Sequence, residues 1–165
     1  MKKINLLKIV MFLFSSLILL GFTYKTESTQ YKCLIQMKNY TGEGAYIAIS
    51  LLDEKGNYEK TLYVHGDDED WYYDITKWWK FYGKNRTEID AITGATIGGG
   101  DRAITIIELE NSKIDAWYKI RFETAVEDKE YYTDDIEFEL STQNIQSKFD
   151  GIGFIRYVRM VSQKQ

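Results

Sequence analysis

Tyr31-Lys32-Cys33-Leu34-Ile35-Gln36-Met37-Lys38 places Tyr31, Cys33, Ile35 and Met37 on one side and Lys32, Gln36 and Lys38 on the other. Successive side chains of an extended chain point to opposite faces, so this period of two predicts a strand with one buried face. Working outward, Gly44 to Leu52 carries Tyr46, Ile47, Ile49, Leu51 and Leu52 and reads as a central strand. Asp53-Glu54-Lys55-Gly56-Asn57 supplies turn chemistry, and Lys60 to Val64 returns as a third strand. Further strands are expected at Arg102 to Leu109, Ala116 to Val126, Thr133 to Leu140 and Gly151 to Val161. In between, Trp71, Ile75, Trp78, Trp79 and Tyr82 recur at helical spacing, with Asp70 as the expected N-cap and Gly83 as the stop. About seven short strands with turn signals and one aromatic-rich helix point to a mainly β fold, an antiparallel β-sandwich of immunoglobulin-like type. The chain has no proline, so its edge strands must be protected by charge.

Composition narrows the chemistry. At 165 residues, 44% hydrophobic and 28% charged, the chain suits one folded domain. A single cysteine excludes an intramolecular disulfide, and a single histidine excludes a multi-histidine metal site. Redox or hydrolytic chemistry therefore needs carboxylates, hydroxyls or a borrowed cofactor. Lys2, Lys3 and Lys8 precede an uncharged run from Ile9 to Tyr24, which is the pattern of a secretory leader and short for a membrane span. We expect a signal peptide or uncleaved N-terminal anchor at residues 1–24, a spacer at 25–30 and a single domain at 31–162. The protein is then exported to the periplasm or another extracytoplasmic space, either soluble or tethered. Removing the leader takes the net charge from −4 to about −7, which disfavours nucleic acid as a partner.

The stretch from Asn85 to Asp101 lacks periodicity, and it holds Asp90-Ala91-Ile92-Thr93-Gly94-Ala95-Thr96. This resembles the acceptor motif of bacterial flavin transferases of the ApbE type: Asp, two variable residues, Ser or Thr, Gly, Ala, then Thr or Ser. The resemblance implies that the transferase joins the phosphate of FMN, taken from FAD, to the hydroxyl of Thr96. It assigns Asp90, Thr93, Gly94 and Ala95 to the same cofactor-attachment site. The residue types suit such a modification, because the acceptor must be a hydroxyl on a loop that another enzyme can enter. Gly94 and Ala95 remove bulk beside it, and Gly98-Gly99-Gly100 permits close backbone approach.

The likeness covers most of Tyr31 to Leu140, although only the seven-residue motif is specific. Ala45-Tyr46-Ile47-Ala48, Lys60-Thr61-Leu62 and Lys77-Trp78-Trp79-Lys80, followed by the motif, resemble an uncharacterised bacterial family of predicted periplasmic proteins. That family is found beside flavin transferases and membrane-bound PepSY-type proteins. Its proline-containing loop after the acceptor is here Ile97-Gly98-Gly99-Gly100. The family implies covalent FMN, a flavin transferase as modifying partner, a membrane-bound redox partner, and electron transfer as the function. A carrier is expected and not an enzyme, since no catalytic residues stand out. The alternative is a cofactor-free secreted β-sandwich serving as a binding or adhesion module, which the abundance of tyrosine would suit.

Other residues have competing readings. Trp71, Tyr72, Tyr73, Trp78 and Trp79 can line a flavin, or the tryptophans can simply dock the helix on the sandwich. Asp67-Asp68-Glu69-Asp70 lacks the ligand spacing of a calcium loop and reads as a solvated acidic segment. His65 has no partner histidine, and Cys33 falls on an apolar strand face. Gly151-Ile152-Gly153 lacks the rest of a nucleotide fingerprint, and Asn85-Arg86-Thr87 is a glycosylation sequon of use only in a eukaryotic pathway.

Overall fold

A computed structural model describes residues 27–85 and 88–163 of the chain. The expected leader and most of the sequon lie outside these residues. Among the described residues nine strands run in chain order: β1 (Ser28–Met37), β2 (Tyr46–Leu52), β3 (Tyr58–His65), β4 (Thr93–Gly94), β5 (Arg102–Glu110), β6 (Lys119–Ala125), β7 (Tyr131–Glu139), β8 (Lys148–Asp150) and β9 (Ile155–Ser162). They form a four-stranded sheet, β5-β1-β9-β8, and a five-stranded sheet, β4-β3-β2-β6-β7. All pairings are antiparallel except β3 with β4. The result is the expected β-sandwich. The expected strand at residue 31 begins at Ser28, and β4 and β8 are additional. Both additions are too short to show a period of two.

Tyr31, Cys33, Ile35 and Met37 face inward against Ile47, Ile49, Ile120 and Phe122 of the opposite sheet. β2 is buried on both faces because a second apolar cluster covers the outside of the five-stranded sheet. That cluster joins Ala48, Val64 and Ala125 to Tyr72, Ile75, Trp78 and Tyr82. The last three belong to or adjoin helix α1 (Thr76–Asn85).

The single helix expected across Trp71 to Tyr82 is in fact two elements. Glu69–Asp74 is a 3-10 turn, and α1 follows after Ile75. The cap is Asp68, whose carboxylate accepts from the Asp70 N–H at 3.0 Å, and Gly83 lies within α1 instead of ending it. A tighter turn has about 3.0 residues where an α-helix has about 3.6, which rotates the stripe by a residue. Tyr72 thus takes the buried place that helical spacing gave to Trp71, and Trp71 turns away from the core, half-buried.

The candidate acceptor segment

The stretch from Ile89 to Asp101 is a packed segment, stitched to the sheet at two points. Upstream, Thr93 and Gly94 pair with Val64 and His65 of β3. Downstream, Ala45 and Ile97 form a bridge, with N–H···O distances of 2.8 and 3.1 Å. Tyr40 reinforces the bridge: its hydroxyl donates to the Ile97 carbonyl at 2.6 Å and accepts from the Ala45 N–H at 2.9 Å. Ile97 itself is buried in the sandwich core. An apolar side chain directly after Thr96 therefore nails down the residue beside the hydroxyl.

The motif residues are unequal in their settings. Thr93 and Gly94 are half-buried, Ala95 is exposed and Thr96 is half-buried. Asp90 opens a short 3-10 turn, Asp90–Ile92; its side chain lies outside the described part of the molecule. Gly98-Gly99-Gly100 is not a free hinge. A Cβ on Gly99 would overlap the carbonyl oxygen of Tyr40, and the Gly100 N–H donates to Lys38 at 2.9 Å. The close approach at Gly99 is to the protein's own backbone, and those at Gly98 and Gly100 are to the side chains of Asp101 and Asn39.

His65 underlies the segment. It is buried, and its Nδ1 lies 3.2 Å from the Ala95 carbonyl oxygen. A carbonyl can only accept, so Nδ1 carries the proton and Nε2 presents a lone pair. That Nε2 is buried without a hydrogen-bond partner. Burial pushes the imidazole pKa down, against a smaller upward pull from the Ala95 carbonyl, so the ring is neutral.

Thr96 stands between two open depressions. One, of about 170 Å³, is bounded by Gly44, Tyr46, Trp71, Asp74 and the outlying Glu43 and Glu127. The other, of about 340 Å³, includes Tyr63, His65, Asp101 and Arg102. Gly44 faces the hydroxyl directly, and a Cβ there would overlap Thr96 Oγ1. The absent side chain is what leaves room at the oxygen.

Of the three tryptophans weighed as a flavin wall, Trp78 and Trp79 lie away from Thr96 and dock the helix on the sheet. Trp78 is fully buried, its indole N–H donates to Thr61 Oγ1 at 2.9 Å, and its ring stacks on Tyr82 at 4.9 Å. It has no face left for a ligand. Trp79 is partly buried against the same cluster, 5.7 Å from the Tyr82 ring. Trp71 is the tryptophan beside Thr96. Gly44, Tyr40 and Ile97 escaped the sequence reading, although an isolated isoleucine after the motif was a usable sign of anchoring. Cys33 is completely buried, and burial pushes its thiol up to about 12, so it packs and does not react.

Among the described residues no three His, Cys, Asp or Glu side chains converge as a metal site, and no helix is long and apolar enough to cross a membrane. The fold is a two-sheet β-sandwich in which Thr96 lies on a segment held to β3 on one side and to Ala45 on the other. The chain belongs to the family described as predicted periplasmic protein (DUF2271), whose model matches residues 28–157. No curated protein and no solved structure matches it.

Proposed function

We propose that the protein is an extracytoplasmic electron-transfer protein carrying FMN, joined by a phosphoester to Thr96. The observation that carries this reading is that Thr96, half-buried, borders two open depressions on a segment fixed on both sides, between β4 and the Ala45–Ile97 bridge. A transferase needs an acceptor oxygen that is both reachable and held still. In the transfer, Thr96 Oγ1 attacks the FMN-side phosphorus of FAD. An O–P bond forms, the pyrophosphate bond breaks, AMP leaves and the hydroxyl proton is released. Covalent attachment keeps the flavin from diffusing away outside the cytoplasm.

The bound flavin would supply one- and two-electron chemistry. This chain's residues hold the ester in place, bound the space around it and set the local charge. The modifying partner is an ApbE-type flavin transferase, and the electron donor is a membrane-bound redox protein of PepSY type. A retained N-terminal segment would keep the carrier near such a donor.

The test is production of the exported chain with an active flavin transferase, followed by intact-mass measurement. We expect an added mass of FMN less one water, and yellow colour that survives denaturation. Thr96→Ala abolishes the adduct, while Thr93→Ala lowers its yield without removing the attachment atom. An unmodified product beside an active transferase would overturn the reading. The competing reading, a cofactor-free binding or adhesion module, draws on Ile104, Ile106 and Val161. These stand exposed on the uncovered face of the four-stranded sheet. That reading predicts the unmodified mass.

A further inference from the structure

The two depressions flanking Thr96 differ in chemistry, and the difference points to where the carried group lies. We propose that Trp71 and Tyr46 form the stacking wall for the aromatic ring of the group esterified to Thr96, in the depression opened by Gly44. This rests on the reading of Thr96 as the acceptor and adds the residues that receive the ring.

Trp71 and Tyr46 are half-buried, so each is anchored by part of its surface and presents the rest. Tyr46 is set in place before any ligand arrives. Its ring lies against the backbone of Gly66, where a Cβ would overlap it. Tyr72 meets its edge at 6.3 Å, nearly perpendicular, and the Tyr72 hydroxyl donates to the Gly66 carbonyl at 2.9 Å. Trp71 is brought to the same depression by the 3-10 turn, which removes it from the buried stripe. Rings fixed in advance bind a flat aromatic partner without the entropy loss of ordering them.

Charge sorts the two ends of the carried group. Three carboxylates, Asp74, Glu43 and Glu127, border the aromatic depression with no cation among them, whereas at the other Asp101 is accompanied by Arg102. An anionic phosphoester is disfavoured among three carboxylates and favoured towards the guanidinium, whereas an uncharged ring system tolerates the acidic side. On the other side, Tyr63 is already engaged. Its ring lies 4.9 Å from that of His65, and its hydroxyl covers Gly94. The aromatic surface still open beside Thr96 is that of Trp71 and Tyr46.

Brightness of the attached flavin tests this, because an indole in contact quenches isoalloxazine fluorescence. The full chain is produced with a flavin transferase, and label stoichiometry is measured after denaturation alongside fluorescence of the folded protein. Trp71→Leu keeps the covalent label and brightens the folded protein by a factor of about five, the docked-to-free ratio one aromatic contact sustains. Tyr46→Leu acts in the same direction. Tyr63→Phe leaves the brightness unchanged. If Trp71→Leu and Tyr46→Leu are fully labelled and no brighter than the parent, the wall is wrongly assigned while Thr96 stands. If Tyr63→Phe brightens instead, the ring lies in the other depression. If the parent takes no label at all, the acceptor assignment fails and the wall fails with it.

Discussion

Gly44 and Gly99 show how one missing methyl group serves two different ends. At Gly44 the space is needed by a side chain, since a Cβ would overlap Thr96 Oγ1. At Gly99 it is needed by the backbone, since a Cβ would overlap the Tyr40 carbonyl. Rotating the Thr96 hydroxyl away relieves only part of the clash at Gly44, because the added methyl would still lie 2.8 Å from the Thr96 Cβ, and a backbone carbonyl in a packed segment yields less still. Gly44→Ala should therefore cost about 1–3 kcal/mol of stability and also slow flavin transfer to Thr96 by roughly tenfold or more. Gly99→Ala should cost about 1–3 kcal/mol of stability, because the segment must move as a whole. Denaturant midpoints and timed labelling measure both. Normal labelling of Gly44→Ala would mean that crowding at the oxygen is not what governs access.

Helix α1 shows an element completed by distant residues. It has no acidic residue in its first turn, yet its N-terminal N–H groups are not left unpaired. The Lys77 N–H donates to the Tyr131 hydroxyl at 3.1 Å, and the Trp78 N–H donates to the carboxylate of Glu123. Glu123 lies on β6, fully buried, and also accepts from the hydroxyls of Tyr58 and Tyr131. Burial pushes its pKa up despite these donors and the nearby Arg121. Glu123→Ala leaves three donors without an acceptor, so we expect a loss of about 3 kcal/mol in chemical denaturation, with α1 detaching first. Tyr131→Phe, which removes one hydroxyl, should cost about 1 kcal/mol. This wiring could not be read in the sequence, because Glu123 falls on the polar side of an alternating strand and looks solvated. The alternation of Tyr31 to Met37 and the apolar run of β2 were legible because each depends only on local period. The split of the helix at Ile75, the brief β4 and β8, and the exchange of Tyr72 for Trp71 depend on contacts made far along the chain. The Thr96 segment was legible as a motif. Its anchoring by Tyr40, Ala45 and His65 was not, because those residues are 30 or more positions distant.

At the scale of the whole molecule, the lone histidine ties global stability to the order of the acceptor segment. Above roughly pH 6.5 the imidazole is neutral in both folded and unfolded chains, so it contributes no slope. Below that value the unfolded chain takes up a proton. The folded chain resists, because burial lowers the His65 pKa and a protonated Nε2 would become a buried donor without an acceptor. The unfolded state then binds more protons, and stability falls with falling pH by up to about 1.4 kcal/mol per unit, until the folded ring itself titrates. Glu123 works in the opposite sense. Its raised pKa means the folded carboxyl keeps its proton where the unfolded one has lost it, so stability falls as pH rises from roughly 4.5 through the folded value. Tyr63 faces the imidazole, and Asp101 and Arg102 share its depression, so these are the groups whose charge His65 meets. The His65 contribution can be isolated as the difference in urea stability between the chain and its His65→Gln variant. We expect that difference to be constant from pH 7 to 8 and to shrink steadily towards pH 5.5, because the variant has no imidazole to protonate. A difference that stays constant to pH 5.5 would show that the folded imidazole titrates as it does in the unfolded chain. Since Nδ1 of the same ring holds the Ala95 carbonyl, amide exchange at Gly66, whose N–H donates to Gly94, should accelerate over the same pH interval once corrected for the intrinsic pH dependence of exchange. Protons would then loosen the segment that presents Thr96 before they unfold the sandwich.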